Sequence, residues 1–188
     1  MSVRKRVALF VGVVGLSVMS ACGGGSSKPT DSATSGTDDL SSQSGDVLQG
    51  VSCPAISAAA GAIGSGVVLQ EEDHRPIAYN CNYVRDDVGT VDGDINYSAQ
   101  SRTVFEDDIA TLRQTADTEV TDLSGVGDEA FLIHASDLVH EEYTVYALFD
   151  GKVAINAKVS SDHTNAVTAA KAKALLEVAR TTAKGVAD

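Results

Sequence analysis

The strongest constraint on the fold lies in the second half of the chain, where two apolar runs flank an Asp-Gly pair. The runs cover residues 143–149 and 152–159, and Asp150-Gly151 lies between them. Asp-Gly between β-prone runs is the strongest short-range signal for a two-residue β-hairpin. Because apolar residues alternate with others in the second run, one face of this strand is predicted to be buried. The residues predicted to be buried are Val153, Ile155, Ala157 and Val159.

Three helices are predicted from apolar spacing and from helix-start residues. The clearest one begins near residue 103 and has apolar residues at the spacing of one helix face. These residues are Phe105, Ile109, Leu112 and Ala116. A short helix is predicted over about 54–62, since it opens with a proline, which is favoured in a first helical turn. A longer amphipathic helix is predicted over about 163–184.

Short apolar runs predict further strands. They cover 77–84, 95–99 and 129–134, with a short extended piece at 120–123, whereas 86–94 is predicted to be a turn. Strands joined by hairpins are antiparallel, and helices collect on one side of such a sheet. The sequence therefore predicts an α+β fold, a two-layer sandwich of a mainly antiparallel sheet with helices on one face.

The N-terminus has the three parts of an export signal. Basic residues 4–6 precede an apolar stretch at 7–18, and the tetrapeptide MSAC follows at 19–22. The apolar stretch is shorter than the ~20 residues of a membrane span, and small residues before a cleavage point mark a secretory signal. In bacterial lipoproteins such a box directs lipid transfer to the cysteine. We therefore expect residues 1–21 to be a lipoprotein signal peptide and Cys22 to be lipidated. An ordinary signal peptide with an incidental cysteine is the alternative.

A polar segment follows the predicted anchor. Residues 22–47 are rich in Gly, Ser, Thr and Asp and contain almost nothing to bury, which predicts a flexible linker behind the lipidated Cys22. The remaining residues, 48–188, have the length of one domain. We expect this domain to be extracytoplasmic and held at the cell membrane by its lipid.

Two cysteines remain after the predicted lipidation of Cys22. Cys53 and Cys81 are an even pair in an oxidising compartment, which predicts a disulfide. A two-cysteine metal site or a redox couple is the alternative, but no C-x-x-C spacing and no nearby histidine pair supports it.

The charge balance excludes one class of partner. The precursor has 14 basic and 26 acidic residues, and three basic residues leave with the predicted signal peptide. The mature chain therefore has 11 basic and 26 acidic residues, a formal net charge of −15. Nucleic-acid binding needs a cationic surface and is not expected. Attraction of the protein to anionic lipid is not expected either. The lipid anchor alone is therefore predicted to hold the protein at the membrane.

A glycine-containing turn precedes the predicted strand at 129–134. Gly125, Gly127 and Ala130 fit the G-x-G-x-x-A dinucleotide fingerprint, but that fingerprint requires a helix after its glycines. We therefore expect a structural turn, in which Gly125 and Gly127 adopt positive φ and Asp128 binds its own neighbouring amides.

Acidic clusters are further candidates for a site. One glycine-containing loop has four aspartates but lacks the EF-hand pattern, with its glycine at the sixth position and its distal glutamate, so a solvated acidic turn is expected. These aspartates are Asp86, Asp87, Asp92 and Asp94. Residues 71–73 (EED) are likewise expected to form a wet loop.

The histidines and serines show no catalytic spacing. The four histidines lack the H-x-x-x-H and H-E-x-x-H patterns, and no G-x-S-x-G elbow occurs. The histidines are His74, His134, His140 and His163. We therefore predict no catalytic residue, no metal site and no cofactor, although the sequence leaves a pair of carboxylates for glycoside chemistry open.

Several of these motifs resemble a known family. The chain resembles the uncharacterised small lipoproteins of actinobacterial envelopes, of mycobacterial and streptomycete type, over most of residues 50–184. The features that carry the resemblance are the lipobox Cys22, the Ser/Thr-rich linker, Cys53-Pro54, Cys81-x-Tyr83 and the turn at 125–131 (GVGDEAF). That turn also resembles one in the extracellular sensor domains of mycobacterial receptor kinases. The resemblance implies an α+β domain with one disulfide outside the membrane, and it implies no reaction.

The sequence favours a non-enzymatic accessory domain that binds an unknown ligand or envelope protein. The groove between helices and sheet is the expected ligand site, and an apolar ligand is one version of it. An envelope hydrolase is the first alternative, and it predicts a cleft with a carboxyl group of raised pKa. A protein-interaction module is the second, and it predicts an exposed apolar patch.

Overall fold

Seven strands form one antiparallel sheet in the computed structural model of the chain, and three helices pack against it. The elements in chain order are α1 (Ile56–Ile63), β1 (Val67–Arg75), β2 (Ala78–Arg85), β3 (Val91–Ala99), α2 (Arg102–Leu112), β4 (Thr118–Asp122), β5 (Glu129–Ser136), β6 (Glu141–Phe149), β7 (Val153–Ser161) and α3 (Ala169–Thr182). The spatial order of the strands is β1-β2-β3-β7-β6-β5-β4. The predicted α+β fold with an antiparallel sheet is confirmed.

The structure describes residues 47–85, 91–161 and 166–183, all within one compact unit. The features predicted outside these residues are the signal peptide, the lipidated Cys22, the linker up to residue 46, Asp86, Asp87 and His163. Among the described helices, none is long and apolar enough to span a membrane.

Helices α1 and α3 cover one face of the sheet. The four residues of β7 that the alternation predicts to be buried, at 153, 155, 157 and 159, are at most 1% exposed and belong to this core. Leu175 and Leu176 of α3 and Ile63 of α1 pack against them. The predicted inward face of β7 is therefore correct.

Helix α2 lies on the opposite face, over one part of it. Phe105 and Ile109 of α2 form a separate apolar cluster with Tyr146, Leu148 and Ala154. Ala154 points away from its neighbours Val153 and Ile155, because successive side chains of a strand alternate between faces. The layer of α1 and α3 on one face is therefore accompanied by a single helix on the other.

The predicted hairpin between β6 and β7 is present. Asp150 and Gly151 have φ values of 51° and 60°, the positive values typical of a type I′ turn. Phe149 and Val153 are the pair that flanks the turn, so Lys152 also lies in the loop and the connection has three residues, not two.

Several predicted boundaries were wrong. Helix α1 begins at Ile56 and not near residue 54, and α2 ends at Leu112, so Ala116 lies outside it. Residues 71–73 lie in strand β1 and not in a loop, and residues 91–94 extend β3 into the predicted turn. Strand β1 is an edge strand with charged residues and a bulge after Leu69, so its sequence lacks apolar alternation. Helix α3 begins at Ala169, because Thr168 is extended and its hydroxyl accepts the Lys171 N–H as an N-cap.

A disulfide joins the start of the domain to the sheet. The sulfur atoms of Cys53 and Cys81 are bonded at 2.08 Å, which is the pairing that the cysteine count favours. Cys81 lies in β2 and is fully buried. The Tyr83 hydroxyl donates to the Pro54 carbonyl at 2.6 Å and holds the same segment against β2. The segment before α1 is therefore fixed twice to an interior strand.

Candidate functional site

Six polar side chains form a compact group on the sheet face that also carries α2. We call them the polar grid: Asn80 and Asn82 of β2, Asp94 and Asn96 of β3, and Asn156 and Lys158 of β7. The strand register aligns them in two rows of three, Asn80–Asn96–Asn156 and Asn82–Asp94–Lys158. Each of the six residues is partly exposed. With about 4.8 Å between strands and about 6.7 Å between alternate residues, the grid measures about 10 by 7 Å.

The composition of the grid is unusual for strands. Asparagine and aspartate are depleted in strands because their side chains favour turns. Four of the five asparagines in the chain nevertheless lie on this one face of three adjacent strands. Positions that break a local rule in a folded protein tend to be functional. The grid was not predicted from the sequence, although the signal exists: in β2, Asn80 and Asn82 alternate with buried Tyr79, Cys81 and Tyr83.

Hydrogen bonds within the grid leave much of its capacity unused. The Asn96 carboxamide donates to the Asn80 carbonyl oxygen, and Asn82 donates to Glu71 of β1 at 3.3 Å. Asn156 makes no side-chain hydrogen bond to another described residue. Because each carboxamide has two N–H donors and a carbonyl acceptor, free donors and acceptors face outward from this surface.

Asp94 is the carboxylate of the grid. Burial raises its pKa above the ordinary value; the nearby Lys158 ammonium lowers that pKa, and the Glu142 carboxylate raises it. The Lys158 Nζ lies 3.8 Å from the Glu142 Oε2, so the one ammonium of the grid is shared between two carboxylates. Asp94 therefore carries a charge that its surroundings partly disfavour.

Tyr146 of β6 borders the grid, because it pairs with Asn156 across β6 and β7, and its ring packs against Phe105 of α2. The Tyr146 hydroxyl donates to the Gln100 side-chain carbonyl at 2.6 Å, and Gln100 donates to Asp108 at 2.5 Å. Burial, followed by the Asp108 carboxylate, raises the pKa of Tyr146. This network gives the grid a fixed, hydrogen-bonded border.

A cavity of about 470 Å³ lies on the same face, at the end of the strands beyond the grid. A cross-strand row of β4 to β7 lines it, and the residues of this row are Thr118, Ala135, Glu142 and Ser160. The α2–β4 connection and the β5–β6 hairpin complete the lining with Ala116, Asp117, Ser136, Asp137 and His140. Because Glu142 also contacts Lys158, the cavity and the grid are neighbours.

The helices and the opposite sheet face, where the sequence predicts a groove, are closely packed at several described residues. Ala59, Ala172 and Ala179 are fully buried there. A Cβ at Gly93 would lie 2.8 Å from the Ile63 Cδ1. At these positions the small residues therefore bring the helices close to the sheet.

The predicted glycine turn links two parts of the sheet. Gly125 and Gly127 have φ values of 80° and 56°, and a Cβ at Gly127 would lie 2.4 Å from the Leu148 carbonyl oxygen. The Asp128 carboxylate accepts the N–H of Gly151 in the β6–β7 turn at 2.7 Å. The expectation that Asp128 binds its own neighbouring amides was therefore wrong, because the fold brings a distant turn to it.

The described histidines lie apart from one another. His74 contacts the Tyr79 ring edge-on, and His134 stacks on Tyr143 with 4.3 Å between ring centres. His140 lines the end cavity. Within the described ranges, no group of three His, Cys, Asp or Glu residues is placed to hold a metal ion.

The most exposed apolar residues are at the tip of the β5–β6 hairpin. Leu138 is fully exposed and Val139 is 62% exposed. The Asp137 carboxylate accepts the backbone N–H groups of Val139 and His140, both at 2.7 Å, and fixes the tip. Two adjacent side chains form a much smaller patch than the few hundred Å² that marks a protein interface.

Comparison of the chain with protein-family models, with curated proteins and with solved structures finds no match. The polar grid and the end cavity are therefore interpreted from their own chemistry.

Proposed function

We propose that the chain is a lipid-anchored extracytoplasmic lipoprotein whose domain binds a polar envelope ligand, without catalysis, at the polar grid. The export signal and Cys22 in the sequence support the anchor. The Cys53–Cys81 disulfide supports an oxidising compartment. The resemblance of the motifs to small actinobacterial envelope lipoproteins supports the same location.

The observation that carries the binding role is the concentration of asparagines on one partly exposed face. Four carboxamides and a carboxylate replace the β-branched residues that a merely solvated strand surface favours. Hydrogen bonds to a polar ligand explain why such residues lie together there. The opposite face is sealed by α1 and α3, which leaves the grid as the accessible side of the central strands.

Side-chain NMR signals test this proposal. The mature chain with Cys22→Ser, labelled with ¹⁵N, is mixed in turn with the glycan, peptide and lipid fractions of a bacterial envelope extract. We expect at least one fraction to shift the side-chain amide signals of the grid asparagines. The backbone signals of α3, on the opposite face, serve as the control and stay unchanged. Shifts confined to α3, or no shift with any fraction, contradict the proposal.

An envelope hydrolase is the second candidate, and Asp94 favours it. Burial raises the pKa of this carboxyl, as a general acid requires, and Glu142 lies close enough to raise it further.

Release of reducing ends from envelope glycans distinguishes the two candidates. A hydrolase loses about 100-fold or more of its rate on Asp94→Asn. The matched control Asp122→Asn, at a mostly exposed carboxylate, keeps the rate. If the wild-type chain releases no reducing ends, the hydrolase candidate is contradicted and the binding function remains.

A further inference from the structure

The side chains of the grid indicate what kind of ligand it accepts. A carboxamide both donates and accepts hydrogen bonds, as a hydroxyl group does. The row Asn80–Asn96–Asn156 therefore matches a ligand that presents donors and acceptors in alternation. An apolar ligand would leave these amides without partners, at a cost for each buried polar group.

Charge excludes a strongly anionic ligand. The Lys158 ammonium is already close to Glu142, and the Arg75 guanidinium of the neighbouring β1 is paired with Asp73 at 2.7 Å. The mature chain has a formal net charge of −15, so a polyanion would be repelled. The four uncharged carboxamides outnumber the two charged members of the grid, which favours a neutral partner.

The position of the strands excludes recognition through the main chain. Strands β2, β3 and β7 each have a paired strand on both sides. Their backbone amides are committed to the sheet, so an extended peptide cannot add to them as a further strand. Only side chains recognise the ligand here.

From these contacts we infer that the ligand of the polar grid is a neutral, hydroxyl-rich glycan segment. The inference rests on the proposed function, because it names the ligand of the same surface. The grid, at about 10 by 7 Å, accommodates a short stretch of sugar rings lying across the three strands. Asn80, Asn96 and Asn156 donate to and accept from its hydroxyls, and Asp94 accepts from further hydroxyls. The grid contains no aromatic ring for stacking, so we expect affinity on the order of 1 mM.

Titration with defined probes tests the ligand class. The ¹⁵N-labelled mature chain with Cys22→Ser is titrated with N-acetylglucosamine oligomers and, separately, with malto-oligosaccharides. We expect at least one series to shift the grid asparagine signals. We expect Asn156→Ala to weaken this binding about fivefold, the effect of one lost hydrogen bond. Asn156 suits the test because no hydrogen bond to another described residue is lost with it.

The matched control removes a carboxamide elsewhere. Gln49 is exposed and follows Leu48, which belongs to the core under α1 and α3. Gln49→Ala is expected to leave the affinity unchanged, and equal weakening by both variants overturns the inference.

Two charged probes distinguish a failure of the glycan inference from a failure of the proposed binding function. Pentalysine and phosphatidylglycerol vesicles are added under the same conditions. If either shifts the grid signals and no neutral saccharide does, the glycan inference is overturned while the proposed binding function stands. If none of the probes shifts the grid, the glycan inference is likewise overturned, and the envelope fractions then decide the binding function.

Discussion

At the scale of single residues, the ionised Asp94 carboxylate of the polar grid lowers the stability of the folded state. Burial raises the pKa of its carboxyl above the unfolded value of 3.8. Well below pH 3.8 the carboxyl is neutral in both states. As pH rises through the window between 3.8 and the raised value, the unfolded chain loses its proton first, and the folded state loses relative stability. At neutral pH Asp94 is therefore destabilising.

We predict that Asp94→Asn raises the free energy of unfolding at pH 7 and that the gain shrinks as pH falls towards 3.8. Urea unfolding of both proteins over this pH range measures it. Asp107→Asn, at an exposed carboxylate of α2, is the control and should change little. A variant that is less stable at pH 7 than the parent would contradict the assigned direction of the pKa shift.

Gly127 shows a different constraint, a close approach of two backbone segments. With φ at 56° and a Cβ placed 2.4 Å from the Leu148 carbonyl oxygen, Gly127→Ala should lower the free energy of unfolding by about 2 kcal/mol or more. Gly125→Ala is the matched control: its φ is 80°, but no atom lies within 4 Å of the added Cβ, so about 1 kcal/mol is expected. Chemical denaturation of the two variants compares them, and equal losses would show that contact with Leu148 is unimportant.

At the scale of elements, local patterns predicted the hairpin of β6 and β7, the buried face of β7 and the helix α2. These elements depend on neighbours in sequence, such as Asp150-Gly151 and the spacing of Phe105 and Ile109. Strand β1 was not predictable in the same way, because an edge strand with a bulge buries little and keeps its charges.

The polar grid required information that local patterns do not contain. Asn80 and Asn96 belong to one meander, but Asn156 joins them only because β7 pairs with β3. This pairing brings together segments about 60 residues apart in the chain. Each asparagine alone is an ordinary polar residue of a strand, and only the strand order shows that they are adjacent.

Strand β7 should be intolerant of charge on its buried face. Ile155 is fully buried under α1 and α3, so Ile155→Asp would bury a charge without a partner and should unfold the domain. Lys152→Asp, at the exposed start of the same strand region, is the control and should remain folded. Far-UV circular dichroism and thermal melts check both, and a cooperative melt of Ile155→Asp would contradict the assigned face.

The disulfide should contribute to stability through the 28 residues that separate its cysteines. Loop-closure entropy assigns about 3–4 kcal/mol to such a bridge. Calorimetry with and without reductant should show a lower melting temperature after reduction. The double variant Cys53→Ser/Cys81→Ser should melt at the lower temperature in both conditions. A melting temperature unaffected by reduction in the parent would contradict this role.

At the scale of the whole molecule, a lipid anchor is proposed to hold the binding face at the membrane. Cys22→Ala is predicted to move the protein from the membrane fraction to the soluble extracytoplasmic fraction, because the lipid alone is expected to hold it. Cell fractionation with immunoblotting measures the distribution. Full retention of the variant in membranes would contradict the anchor without affecting the binding face.

The proposed function requires that the asparagines of the polar grid bind a ligand. Replacing Asn80, Asn82, Asn96 and Asn156 with threonine places better strand formers on the same face. The decisive measurement is the mass of envelope glycan retained by the immobilised mature chain and by this variant, with folding checked by thermal melting. We predict that the variant melts no lower than the parent and retains little or no glycan. A folded variant that retains as much glycan as the parent would contradict the claim.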